Sequence, residues 1–343
     1  MKVSTEKTDC HFFRRAAGKV IFAVFLFSAL IIVMLFSWKN GLHELGITLQ
    51  DIFQIVCGKG DELKRIILCE IRLPRILLGA LTGACLAVSG AILQGVMRNP
   101  LASPGIIGVS SGGGLCGLLV LLLYPQYLNL QMPASFAGAM TAAFLIYGLA
   151  WRRGTDPVRL VLAGVAVSSM LGAISGMIMM LRAEETGRIL DFTFGSLSSA
   201  GMEELLRVLP YMVSGLILSV LMSSKINVLA LGDDTARSLG MRVELTRFLL
   251  ILVAALLAAS AVSAAGLIGF VGLIAPHVIR MICGPDNRYL VPVSAVLGAL
   301  LVVGCDFAGR MIAEPGELPA GLLLALLGPP FFLWLLRRTR YEV

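Results

Sequence analysis

Apolar runs long enough to cross a bilayer recur along this sequence, among them Val20–Trp38, Ile76–Met97, Val161–Leu181, Leu205–Met222 and Leu322–Leu336. A hydrocarbon core is crossed by about 20 apolar residues of helix. Inside it every backbone N–H and C=O needs a partner within the chain, so such runs are helices. Only 14% of residues are charged, against about 25% in soluble domains. The fold class that follows is all-α, a polytopic membrane protein.

The runs predict about ten spans, near 20–38, 76–97, 105–124, 133–151, 158–181, 205–222, 246–265, 267–283, 290–309 and 318–336. The stretch 246–283 is too long for one ordinary span. Gly266, Gly269 and Gly272 divide it into one full helix and one short one. Left undivided, it would invert everything after it.

The charge pattern tests that division. A net +7 on a soluble protein would suggest nucleic acid, but here the basic residues sit in short segments between spans. With the N-terminus inside, most of the 28 Lys and Arg lie on the inner side, Arg14, Arg15, Arg152, Arg153, Arg247, Arg337 and Arg338 among them, whereas most of the 21 acidic residues do not. Inner loops favour basic residues, so both termini are predicted to be cytoplasmic. The first run is long for a signal segment and lacks a small-residue cleavage site, so it reads as a retained span.

The seven cysteines (Cys10, Cys57, Cys69, Cys85, Cys116, Cys283, Cys305) form no CxxC pair and read as small core residues. His11, His43 and His277 are far apart, which gives no cluster for a bare metal ion, and no cofactor is expected. An ion-driven carrier places carboxylates or histidines deep in its spans. The nearest candidates are Asp306, one turn from Arg310 and read as a local charge pair, and His277, read equally as a packing residue. GKGDEL at Gly58–Leu63 lacks the spacing of a phosphate loop. A transporter with neither an ion site nor a nucleotide site draws its energy from a partner, and a cytoplasmic ATPase is the simplest one.

The stretch RLPRILLGALTGACLAVSGAILQGVMRNPLASPGIIGVSSGGG, Arg72–Gly114, resembles the FecCD-type permeases of ATP-driven importers for iron chelates, haem and vitamin B12. Further matches are LVLAGVAVSSM at 160–170, LALGDDTARSLGM at 229–241, GLIGFVGLIAPHVIR at 266–280 and ELPAGLLLALLGPPFF at 317–332. The resemblance implies ten spans in two inverted five-helix halves, roughly 20–181 and 205–336. It also implies a second permease copy or paralogue with the path between the two, two ATP-binding subunits inside, and an extracytoplasmic binding protein outside. The setting is the lipid bilayer of a prokaryotic cell membrane, and nucleic acid is no partner. The cargo implied is a metal chelate, foremost an iron(III)-siderophore, with haem or cobalamin as alternatives. A different function, an ion-coupled secondary transporter, is disfavoured by the missing intramembrane acid.

Residue by residue, the resemblance makes 225–243 the coupling segment, with Leu229, Gly232, Asp233, Asp234, Arg237, Leu239 and Gly240 toward the ATPase. The acids after Gly232 suit the positive end of a short helix, and an ordinary solvated loop is the bland reading. On the outer side the resemblance gives Arg72, Arg75 and Arg310 to docking of the binding protein, since a guanidinium grips a carboxylate bidentately. Basic residues at span ends also serve as snorkelling anchors. Asn99 and Leu101 match an inner gate. A second constriction would fall at Pro157 and Val158, stiffer and more apolar than the small hydroxyl residues of similar permeases. In the fifth span Ser168, Ser169, Gly172 and Met179 fit either a smooth path or tight packing. Gly79 with Gly83, Ala87 with Gly90, and Gly172 with Gly176 have the spacing of close helix contacts.

Overall fold

The computed structural model describes residues 16–39, 62–151, 157–181, 186–313 and 316–338. All regular elements among them are helices: α1 (Ala16–Lys39), α2 (Glu62–Val96), α3 (Val109–Leu123), α4 (Gln131–Ala150), α5 (Pro157–Leu181), α6 (Thr186–Phe194), α7 (Met202–Leu221), α8 (Ser223–Ala230), α9 (Asp233–Ser238), α10 (Val243–Ala265), α11 (Val271–Cys283), α12 (Asn287–Ile312) and α13 (Ala320–Arg338). By length and composition α1, α2, α4, α5, α7, α10 and α12 can cross a membrane, and α3, α11 and α13 are shorter apolar helices. Each predicted span thus coincides with a helix. The second one begins earlier than predicted, at Glu62, and passes through a π-helical stretch, Ile66–Arg72. Cys10, His11, Arg14, Arg15, His43, Cys57, Arg152, Arg153 and most of GKGDEL lie outside the described residues.

α2 is the centre of the bundle, with α7, α8, α10, α11 and α12 packed around it. Its small residues make this possible. A Cβ at Gly83 would run into the Gly298 carbonyl on α12, and one at Gly90 into the Gly272 carbonyl on α11. Where lipid is as apolar as any side chain, close backbone approach of this kind is a main source of helix association. Ser89 adds a buried hydrogen bond to the Ala254 carbonyl of α10 at 2.7 Å.

α10 and α11 are separate helices. α10 ends at Gly266, φ 73°, and α11 starts after Phe270, φ 65°, positive-φ conformations through which a right-handed helix does not continue. The freed amide of Leu267 donates to the Phe192 carbonyl at 3.0 Å. The division predicted from the glycines therefore falls where it was expected.

α5 behaves differently from α2 although both are apolar. In the most apolar window of α2, 89% of the residues are buried; in that of α5, only 11% are. A Cβ at Gly172 or Gly176 would meet nothing within 4 Å. Their GxxxG spacing meets no partner among the described residues.

Candidate functional site

Two clusters of charge stand at opposite ends of the α-helical part of α2, Leu73–Val96. At its N-terminal end Arg75 turns onto Asp306 of α12, with Nη2 2.8 Å from Oδ1 and Nε 3.1 Å from the same oxygen. Arg75 also reaches Glu317, in the segment leading to α13, at 2.9 Å. Arg310, one turn along from Asp306, bonds its other carboxylate oxygen at 3.2 Å and donates to the Ser37 hydroxyl of α1. Arg72 donates to the Trp38 carbonyl at 2.9 Å. Asp306 is therefore the hub of this end, its side chain 5% exposed.

The expected local pair of Asp306 with Arg310 is present. The expectation of three outward guanidinium groups needs correction, because Arg75 and Arg310 are largely buried and point at Asp306. A span-end carboxylate in an apolar setting takes whatever cations lie within reach, since leaving it unpaired costs several kcal/mol.

At the other end, α8, α9 and the start of α10 form a tight corner. Gly232 at φ 105° turns the chain out of α8 and into α9, whose first turn carries Asp233 and Asp234. Ala236 is the buried residue of α9, while Asp234, Arg237, Leu239 and Gly240 are exposed. Leu229, expected among the surface contacts, belongs to the core instead. Arg247, read from sequence as one more inner basic residue, is a buried part of α10, its side chain 2% exposed. It grips Asp233 through both oxygens at 2.8 and 2.9 Å and bonds Glu244 at 3.2 Å. Arg237 lies 3.6 Å from Asp234 and 3.9 Å from Glu244.

The loop after α2 comes to the same corner. Asn99 folds its side-chain oxygen back to accept from the Leu101 amide at 2.9 Å, and both residues are exposed. Arg98 sits at φ 51° with Nη2 3.5 Å from Asp233. Pro157 and Val158 begin α5, which packs farther along against Pro104–Ile107, where a Cβ at Gly164 would meet the Ile106 carbonyl. On α5 itself Ser169 and Gly172 are exposed and Ser168 is half-buried. Met179 turns away from them and packs on the cluster of Leu118, Leu121, Leu122, Ile189 and Phe192.

Among the described residues no three His, Cys, Asp or Glu side chains are placed to hold a metal ion. Cys85, Cys283 and Cys305 are buried thiols. Asp306 showed one signal in the sequence, a charge inside an apolar run one turn from Arg310. Arg247, at the polar start of its run, showed none.

The chain is 38% identical over 320 residues to the iron(3+)-hydroxamate import permease FhuG of Bacillus subtilis, covering 90% of this chain and 95% of that one. It is 43% identical over 277 residues to the cobalamin import permease BtuC of Halobacterium salinarum, covering 80% and 74%. With the hemin transport permease HmuU of Yersinia pestis it shares 40% over 280 residues, covering 80% and 84%. A solved inward-facing structure of a metal-chelate type ABC transporter superposes with a TM-score of 0.83 at 28% identity, covering 93% of this chain and 99% of that one. The model of the FecCD transport family matches residues 19–338, and the chain belongs to that family.

Proposed function

We propose that this permease is the membrane subunit of an ATP-driven importer of a metal chelate, foremost an iron(III)-siderophore. Haem and cobalamin are the near alternatives, since relatives named for each are similarly identical. Two ATP-hydrolysing subunits seat on the Asp233 end, through Arg237, Leu239 and Gly240 of segment 225–243. An extracytoplasmic binding protein docks at the Asp306 end. Halves 20–181 and 205–336 form an inverted pair, both termini are cytoplasmic, and the membrane is that of a prokaryotic cell. Asn99 and Leu101 form an inner gate, with a second constriction at Pro157 and Val158.

The exposed length of α5 is where a second permease copy or paralogue packs, with Ser169 and Gly172 toward the path. A route lined by small residues without strong ligands suits a system whose affinity resides in the binding protein.

One observation carries this reading. α9 is clamped from beneath by Arg247 while Arg237 and Leu239 are left exposed, as a helix that takes up force from a partner requires. An ion-coupled carrier is less well supported, because its best carboxylate, Asp306, is committed to Arg75 and Arg310. In cells, uptake of ferric hydroxamate, haem and cobalamin is measured with an uncoupler present, and again with the phosphate-loop lysine of the partner ATPase replaced. Uptake of one of them that survives the uncoupler and stops with the lysine variant is expected. The reverse pattern identifies a carrier.

A further inference from the structure

From the geometry around Asp233 we infer that Arg98 is a positioning residue that ties the loop carrying Asn99 and Leu101 to α9, so that a displacement of α9 is delivered to that loop. The inference rests on the proposed roles of α9 and of the loop.

Three observations converge on Arg98. It is one of two non-glycine residues at positive φ among those described, at 51°. Its guanidinium reaches Asp233 at 3.5 Å, and a Cβ on Gly232 would lie 3.5 Å from its Nη1, so the side chain is laid across the very start of α9. Asp233 is itself held by the buried Arg247. Arg98 therefore grips the fixed point of the corner.

Stability does not account for an arginine here. A partly exposed pair at this distance adds little, and left-handed backbone is unfavourable for any residue with a Cβ. Glycine would fill the position with less strain. A side chain kept against that cost has its use elsewhere, and strain of this kind gathers where a segment must hold one arrangement or switch between two.

A second joint runs parallel to the first. A Cβ at Gly95 would collide with Ile226, so the last turn of α2 rests directly on α8. α8 supports the end of α2 by contact, and Arg98 holds the loop beyond it by charge. Packing opposes both approach and separation of α2 and α8. The ion pair adds a directional link between the loop and α9 that packing alone does not specify.

The test uses the permease purified with its ATPase subunits, with native cysteines replaced and a single reporter, L101C, in the loop. Its labelling by a maleimide is followed without nucleotide and with ATP plus vanadate. In the parent complex the two rates should differ about fivefold or more, the range of a real coupling between sites. R98G should abolish the difference while its melting temperature and its ATP hydrolysis are retained, because glycine suits the backbone there. R98K, which keeps a cation in reach, should restore most of it.

A full nucleotide response in R98G overturns the inference and leaves the function intact. A parent complex that hydrolyses ATP without any response of L101C overturns the gate role of the loop, and the inference with it. Loss of the response in both R98G and R98K, with hydrolysis retained, would assign the effect to loop shape rather than to charge and overturns it also.

Discussion

The two ends of α2 solve the same electrostatic problem in opposite ways. At the Asp306 end one buried carboxylate is shared by two arginines, with Arg72 and Glu317 beside them. At the Asp233 end one buried arginine is shared by two carboxylates, with Arg98 and Arg237 at the rim. In the first cluster the carboxylate is the buried member and the arginines surround it. In the second, Arg98, Arg237 and Arg247 match Asp233, Asp234 and Glu244. Arginines gathered around one carboxylate suit a surface that receives an acidic partner from water and lets it go again. A balanced cluster pinned by a buried guanidinium suits a corner that must move as one piece. The difference teaches that charge at a span end is informative only once its partners are known.

The contrast breaks most sharply at the two hubs. D306N leaves Arg75 and Arg310 largely buried around a neutral group, which should cost on the order of 3–5 kcal/mol. R247M leaves Asp233 and Glu244, each about 30% exposed, able to regain water, and methionine fills much of the space. Its cost should be nearer 1–2 kcal/mol, in the range of a lost hydrogen-bonded partner. Thermal unfolding of both variants in the same detergent gives the order, and a larger loss for R247M would mean that the Asp233 corner is the more deeply buried of the two.

A smaller effect separates the arginines within the Asp306 end. Arg72 is bonded to a backbone carbonyl, whereas Arg75 and Arg310 are bonded to Asp306. R72E should therefore weaken binding-protein docking about tenfold at low salt and much less at high salt, because charge at such a surface is screened over roughly 10 Å at 0.1 M. R310E should lower the melting temperature as well, by placing an acid beside Asp306. Docking unchanged by R72E at low salt would remove the partner from this end.

Much of the fold was legible because a bilayer imposes a local rule. Any run of about 20 apolar residues must close its own backbone hydrogen bonds, so the helices at 76–97 or 290–309 could be placed without knowing a neighbour. The break near Gly266 was legible for a similar reason, since glycines mark where a helix gives way. Burial was not legible. α2 and α5 are both apolar along their length, and in a membrane protein apolarity does not tell core from lipid or from a partner subunit. Nor were the pairings. Arg75 finds Asp306 across 231 positions, and Arg247 chooses Asp233 and Glu244 among several acids near it in sequence. The candidate coupling segment was readable as a short helix, but its clamp was not.

The smallest effect concerns a carboxylate that both clusters leave out. Asp286, at the corner between α11 and α12, caps α12 by accepting from the Arg288 amide at 3.0 Å and accepts from Asn227 of α8 at 2.7 Å. Asn227 in turn accepts from the Asn287 amide at 2.8 Å, so the corner is fastened to α8. Partial burial alone would raise the pKa of Asp286, but the Arg288 amide, the Asn227 amide and the nearby charges of Arg288 and Lys19 outweigh it and hold the carboxyl below its usual range. A depressed folded pKa contributes stability that is fully present above the unfolded value, about 3.9 for an aspartate, and is lost as pH falls through the folded value. Asparagine caps a helix about as well as aspartate, so D286N should cost less than about 1 kcal/mol at neutral pH. The gap in melting temperature between wild type and D286N should stay level from pH 8 to pH 5 and close only below about pH 4. A gap that closed between pH 8 and pH 6 would mean that a group of much higher pKa, and not this carboxylate, fastens the corner to α8.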